Sequence, residues 1–251
     1  MTILVYYFPI WFQAIEGVSA VSSGIHLLPT IIPLVVASII TGQLISRIGY
    51  YTPFLIFGVC LTSIGAGLIT TLDVNTPEAK WIGYQILYGY GLGSSTQINN
   101  IAVQTVLPRK DVAIGASLMF FGQQLFGAIF TSVGENVLSN QLARRLSRIP
   151  DVEITPRVIQ STGATDVLSL TPERYRDDGL QSYNDSLRVC FQVGLIMACL
   201  ASIGAVCMEW RSVKQNKPDV ERKGEKGKDG EASTNMEDGN GIEKKNGDGK
   251  I

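Results

Sequence analysis

The sequence predicts an all-α, polytopic membrane protein, a bundle of helices crossing a bilayer several times. Three observations predict it. Residues 17–46, 48–72, 81–108, 112–134 and 189–208 run for 30, 25, 28, 23 and 20 residues without a single Asp, Glu, Lys or Arg, and residues 1–15 form a sixth, shorter window. A helix rises about 1.5 Å per residue, so ~20 apolar residues cross the ~30 Å hydrocarbon core of a bilayer. A charge at the bilayer centre costs about 2.5–3.5 kcal/mol on insertion scales, so charge-free stretches of this length are a spanning signature. The connections between the first five windows are also short, which makes neighbouring helices antiparallel. Finally, the polar residues that remain concentrate in a long loop and a C-terminal tail, which is why mean hydropathy over the 251 residues is only slightly positive.

The elements follow in order. MTILVYYFPIWFQAI lacks a basic n-region and a small-residue cleavage site, so it does not read as a signal peptide. It reads as the second half of a membrane helix, a partial span at 1–15, and the chain as truncated. Full spans are expected at about 24–46, 53–72, 82–106, 112–137 and 187–209. Pro29 and Pro33 lie inside the second, where a bend is expected because each ring removes a backbone donor. Residues 138–186 form a polar outer loop. SNQLARRLSRIP carries a helix onward into water, and Thr171-Pro172 and then Asn184 or Asp185 supply helix-start signals for one or two short helices. The transmembrane bundle is thus 1–210. Residues 211–251 hold seven glycines, mixed charge and no aromatic residue, so they are expected to be a disordered tail.

Orientation follows from the Lys/Arg bias of the short connections. Arg47, Arg109, Lys110, Arg211, Lys214 and Lys217 fall on one side and only Lys80 on the other, which makes the first side, and the tail, cytoplasmic. The 138–186 loop dissents, since it places Arg144, Arg145, Arg148, Arg157, Arg174 and Arg176 outside. The formal net charge of −1 leaves no basic groove for nucleic acid. Cys60, Cys190, Cys199 and Cys207 all fall in apolar windows and offer neither a disulfide framework nor metal-ligand spacing. No metal site, cofactor fingerprint or catalytic constellation emerges. Gly89, Gly91 and Gly93 interrupt a hydrophobic helix rather than following a strand, as a nucleotide fingerprint would require.

What remains to carry function is polar residues inside spans. Gln97, Asn100 and Gln104 fall at i, i+3 and i+7, one helical face, with Gln85 and Asn99 nearby; Gln123, Gln124 and Asn136 repeat the pattern in the fifth span. In hydrocarbon an amide needs a partner, so these groups face a neighbouring helix or a water-accessible pathway. Glu135 is the only carboxylate near a span interior, and either a solvated interfacial place or proton coupling fits it. His26, the single histidine, likewise reads as an interfacial polar residue or a proton-linked one. Gly89 and Gly93 make a small-xxx-small pair, while Gly115 and Gly122 stand one heptad apart; such residues let helices pack closely and slide. In GQLISRIG, residues 42–49, Arg47 sits in a tight turn at a helix end, placed to cap carbonyls of neighbouring helices.

Together these segments resemble the C-terminal half of a fungal major facilitator superfamily transporter, specifically the fourteen-span drug and toxin efflux branch. The resemblance covers about residues 1–210. It rests on YYFPIWFQAIEGVSAVSSGIHLLP, GQLISRIGYYTPFL, GYQILYGYGLGSSTQINNIAVQ and DVAIGASLMFFGQQLFGAIFTSV. GQLISRIG is similar to the family's loop motif G-x-L-x-D-R-x-G: Gly42, Leu44, Arg47 and Gly49 match, and Ser46 replaces the acid. The resemblance implies two six-helix halves around a central site, with inverted repeats, a cytoplasmic tail, export coupled to protons and amphipathic organic substrates. A plasma-membrane location is implied, a vacuolar one being the alternative. The antiport motif and most acidic coupling residues would belong to an N-terminal half missing from this sequence.

Two functional classes stay open. In the first, the chain is a secondary transporter, or part of one, for drug-like or toxin-like metabolites, with Gln97, Asn100, Gln104, Gln123 and Gln124 lining its cavity. In the second it is a truncated, non-transporting membrane protein or a half that needs a partner. A siderophore or amino-acid carrier of the same superfamily is a related alternative to the first.

Overall fold

A computed structural model of the chain describes residues 2–148, 159 and 171–207. The described residues all belong to one compact unit, and the expected tail, 211–251, lies outside them. Seven α-helices build the described part of that unit: α1 (Thr2–Ile15), α2 (Ala20–His26), α3 (Leu28–Ile48), α4 (Thr52–Ile69), α5 (Glu78–Val106), α6 (Val112–Leu146) and α7 (Arg176–Val206). The end carrying Ile15, Ile69 and Glu78 is called the outer end, after the charge bias, and the opposite end the inner.

The short α1 buries one aromatic side against α2, α6 and α7, while Val5 and Tyr6 on its other side stay exposed. Ile3, Leu4, Tyr7, Phe8, Trp11 and Phe12 are all buried. Phe8 stacks on Phe12 and meets Phe191 of α7, each at 5.8 Å between ring centroids. Burying so many aromatic rings on 14 residues gives this helix more packing surface than its length suggests. One polar tip inside that core is satisfied: Trp11 Nε1 donates to Asn184 Oδ1 at 2.8 Å, and Asn184 Nδ2 donates to the Leu72 carbonyl at 3.3 Å.

The expected second span is two helices. Gly17 turns the chain after α1 with φ 66°, and the Ser19 hydroxyl caps α2 by accepting from Ser22 N–H at 3.2 Å. The helix breaks at Leu27 and restarts as α3, with Pro29 in its first turn, where a missing donor costs nothing. Pro33 stays inside a continuous α3. The bend therefore falls before the first proline. At the inner end Gly49 terminates α3 in the left-handed region (φ 89°), its N–H returning to the Ile45 carbonyl at 2.7 Å.

α5 lies between α3 and α4, and glycines on its two faces set the spacing. A Cβ at Gly89 or Gly93 would collide with the backbone of Thr30 or Leu34 of α3. On the other face, a Cβ at Gly91 would lie 2.8 Å from the Gly58 carbonyl oxygen of α4, and one at Gly65 of α4 would lie 2.7 Å from Tyr88 Cα. Ser38 reinforces the first contact by donating to the Gly93 carbonyl at 3.1 Å, and Thr30 the outer end by donating to Gln85 Oε1 at 2.8 Å. Close backbone approach of this kind substitutes for hydrophobic driving force between helices in lipid.

Four helical stretches among the described residues are long and apolar enough to cross a bilayer: α3, α4, α6 and Glu173–Val206. The 29-residue α5 is long enough, but its serines, threonines and amides lower its apolarity. α6 and α7 outrun the expected spans 112–137 and 187–209. α6 is 35 residues, ~52 Å, so about 20 Å of it exceeds a hydrocarbon core. α7 starts at Arg176, directly after the 3₁₀ turn Glu173–Tyr175 that follows Pro172. Asn184 and Asp185 are interior to α7, not its start. They are held there because Asn184 is spent on α1 and Asp185 pairs with Arg145 of α6 at 2.7 Å. Asn184 is fully buried, so the Asn184-Asp185-Ser186 sequon is sealed inside the bundle.

Candidate functional site

The polar residues of α5 lead to a cavity. Ser95, Thr96, Asn99 and Asn100 form a stripe on its inner half. Facing them are Thr2 and Ile3 of α1, Met119, Gln123, Phe126, Gly127 and Phe130 of α6, and Met197 and Ala201 of α7. The half-open space measures about 610 Å³, within the ~300–1,000 Å³ of typical small-molecule sites. No lining residue carries a formal charge.

How these polar groups are spent decides what the cavity can do. The hydroxyls look inward to their own helix: Ser95 donates to the Gly91 carbonyl at 2.9 Å and Thr96 to that of Leu92 at 2.8 Å. Asn100 Nδ2 makes one long bond, 3.4 Å, to the Thr96 carbonyl. Its Oδ1, and the amides of Asn99 and Gln123, meet no partner in the described protein. A cavity walled by Phe and Met, with three primary amides able to donate and accept, suits an amphipathic molecule bearing carbonyl or hydroxyl groups.

The five amides expected along the pathway separate. Asn100 and Gln123 line the cavity. Gln97 instead faces α3 across a groove of about 380 Å³ with Ser38, Ile39, Gly42, Gln43, Ser46 and Arg47. Gln104 and Gln124 are exposed and line neither space. Helical geometry explains the split: positions i and i+3 differ by about 60° and adjacent positions by about 100°. Gln97 and Asn100 thus flank the edge between α3 and the cavity, and of Gln123 and Gln124 only one can turn inward. Asn99 lies off the expected face, but residues 95, 96, 99 and 100 recur at helical spacing and are all hydrogen-bonding types. Thr2, Met119, Phe126, Phe130 and Met197 carry no such sequence signal, being ordinary helix residues until α1, α6 and α7 are brought together.

The loop motif occupies the last two turns of α3 and its cap. Leu44 and Arg47 are exposed, Gly42 leaves room for Gln97 (an added Cβ would lie 3.7 Å from its Nε2), and Gly49 terminates the helix. Of the packing glycines, Gly89 and Gly93 sit at the α3–α5 crossing. Gly115 faces the flexible Leu107 and Val103 side chains, and Gly122 has nothing within 4 Å.

At the outer end, His26 Nδ1 lies 3.4 Å from Glu16 Oε2, at ion-pair distance. The imidazole is flanked by Phe12 and Trp81, with centroids at 5.1 and 5.3 Å. Burial beside these rings pushes the Glu16 carboxyl above its ordinary range, and the nearby His26 partly opposes the shift.

An apolar helical bundle with four helical stretches long and apolar enough to cross a bilayer is a multi-pass membrane protein. Relatives identify the kind. Over 211 residues the chain is 51% identical to an MFS-type transporter of Claviceps purpurea, covering 84% of this chain and 37% of that protein. It is 47% identical over 216 residues to the MFS-type efflux pump MFS1 of Arthroderma benhamiae, covering 86% and 40%. It is 43% identical over 217 residues to the efflux pump aflT of Aspergillus parasiticus, covering 86% and 42%. No family model matches the chain. The chain belongs with the fungal MFS-type, or major facilitator, transporters, and it spans about two fifths of the length of the relatives it matches.

Proposed function

We propose that the bundle is the C-terminal half of a proton-coupled efflux transporter of the fourteen-span branch, and that the α1–α5–α6–α7 cavity is its share of the substrate pathway. The observation that carries this reading is the set of unspent amides of Asn99, Asn100 and Gln123 along an uncharged cavity walled largely by apolar side chains. Asn99 and Gln123 are exposed and Asn100 partly so, so water solvates these amides, and a ligand carbonyl or hydroxyl would exchange with that water for a net ~0.5–1.5 kcal/mol per hydrogen bond. Substrates are then amphipathic secondary metabolites, drug-like or toxin-like. The efflux names of the relatives support the direction of transport. The Lys/Arg bias supports a cytoplasmic tail, and the plasma membrane is the location we assign.

The α6 helix favours an extension of this reading. No residue of its most apolar window is buried, against 44% of the corresponding window of α4. A helix with Gln123 on one face and Phe121, Leu125 and Ile129 on others suits a wall shared with further helices. The bundle would then work as one half of a pair.

The test is export of a panel of amphipathic metabolites by cells expressing this chain joined to the N-terminal half of one of its relatives, at matched surface abundance. Asn100→Ala and Gln123→Ala should change the ranking of substrates, while Gln104→Ala and Gln124→Ala should leave it unchanged. Equal export by all four variants would overturn the assignment of the cavity.

A further inference from the structure

Most described carboxylates lie in connections, caps or first helical turns, where water reaches them: Glu16, Asp73, Glu78, Asp111, Glu173, Asp177 and Asp178. Two sit in helix interiors. Asp185 of α7 is neutralised by Arg145 at 2.7 Å and Arg188 at 3.7 Å. Glu135, half-buried in α6, has no Lys, Arg or His at ion-pair distance among the described residues. The titratable groups facing it are Tyr7 from α1 and Tyr183 and Cys190 from α7, every one of them neutral in its ordinary form.

The Tyr7 hydroxyl stands between two acceptors on the same turn of α6: Thr131 carbonyl oxygen at 3.2 Å and Glu135 Oε2 at 3.4 Å. It reaches both because residue 134 is glycine; a Cβ there would lie 2.8 Å from Tyr7 Cε2 and 3.0 Å from its Oη. Cys190 Sγ donates to the Gly134 carbonyl at 3.5 Å from the far side, so α7 closes the same spot. Five residues further in along each helix lie Thr2 of α1 and Phe130 of α6, both walls of the cavity, about 7.5 Å away along the axis.

We infer that Glu135 is a proton-binding group of this bundle, and that Tyr7 reports its charge to the α1–α6 wall of the cavity by reversing their shared hydrogen bond. With Glu135 ionised, Tyr7 O–H donates to Oε2. When the carboxylate accepts a proton from water, its new O–H donates to Tyr7 Oη, and the Tyr7 proton turns to the Thr131 carbonyl already within reach. One O–H bond forms at Glu135 and one hydronium proton is consumed; Tyr7 keeps its own proton throughout. A hydroxyl serves here because it can donate and accept at once. An acid without a cation partner can take up a proton without first breaking an ion pair, which suits a group coupled to a proton gradient. The inference rests on the transporter reading for its purpose, not for its chemistry.

The experiment uses this chain reconstituted in lipid nanodiscs and pH-difference infrared spectroscopy. Acidification should give protonated-carboxyl C=O bands, one of them from Glu16 and removed by Glu16→Gln; a separate band should be lost in Glu135→Gln and move to higher frequency in Tyr7→Phe, where the acid loses its acceptor. Gly134→Ala, which displaces the Tyr7 ring without removing a titrating group, should give the same shift as Tyr7→Phe. Asp73→Asn, in an exposed connection, should leave the band in place. A Glu135→Gln spectrum identical to the parent, or a band unmoved by both Tyr7→Phe and Gly134→Ala, overturns the inference. Because no substrate is moved, a clear band here, with no export by the chain joined to a relative's N-terminal half, would contradict the transporter reading and leave this one standing.

Discussion

Replacing Gly93 by alanine tests whether the α3–α5 seam is set by backbone contact. The new Cβ would lie 2.8 Å from both the carbonyl carbon and the Cα of Leu34, with the carbonyl oxygen nearer still. Carbon contacts are most favourable at ~3.5–4.0 Å, so α3 and α5 must part by roughly 0.7–1.2 Å, because no side-chain rotation can relieve a clash with backbone. Overpacking of this kind costs about 1–3 kcal/mol. Parting also lengthens the Ser38–Gly93 hydrogen bond, which is worth ~0.6 kcal/mol in a membrane bundle. Against this, alanine is better than glycine in a helix by ~1 kcal/mol. Gly122→Ala makes the same propensity gain with nothing within 4 Å of the new methyl. The propensity terms cancel between the two variants, leaving Gly93→Ala less stable than Gly122→Ala by about 2–4 kcal/mol. Unfolding in mixed micelles by added SDS, followed by far-ultraviolet circular dichroism, measures the difference. Equal midpoints would refute the claim that glycine sets this spacing.

Two further outcomes follow from the outer end. Trp11→Phe keeps the aromatic packing but strands the Asn184 carbonyl oxygen in the core, so the same unfolding assay should show a loss of about 1–3 kcal/mol. Glu16 carries a folded-state carboxyl raised by burial, so the folded chain binds more protons than the unfolded one, and stability falls as pH rises from the ordinary carboxylate value of 4.5 upward. Glu16→Gln removes that slope, and thermal melting across mildly acidic pH should show a flatter profile than the parent; an unchanged slope would mean that Glu16 is not its source.

The sequence carried the class of this fold because charge-free windows of 20–30 residues report directly on the cost of charge in lipid. It was less informative wherever tertiary contacts decide. The 14-residue α1 reads as an incomplete span, yet its aromatic side is fully buried against α6 and α7, and no periodicity rule announces which neighbours a short helix will meet. The break at Leu27 falls before Pro29 because a proline in a helix's first turn is comfortable, whereas Pro33 is absorbed inside α3. Arg145 reads as a solvated loop residue, but it meets Asp185 once α6 and α7 each continue past the bilayer. The amides show the same limit. Their presence in α5 and α6 is plain from the sequence, but which of them share a cavity depends on rotations of 60–100° that only the neighbouring helices settle.

The central claim is that the amides of Asn99, Asn100 and Gln123 contact substrate. The most direct measurement is equilibrium binding of a fluorescent amphipathic metabolite to this chain in nanodiscs, comparing Asn100→Ala and Gln123→Ala with Gln104→Ala and Gln124→Ala. Losing one hydrogen bond of ~0.5–1.5 kcal/mol predicts an affinity about 2–13-fold weaker for each cavity variant and no change for the other two. Saturable binding that is equally strong in all four variants would contradict the account.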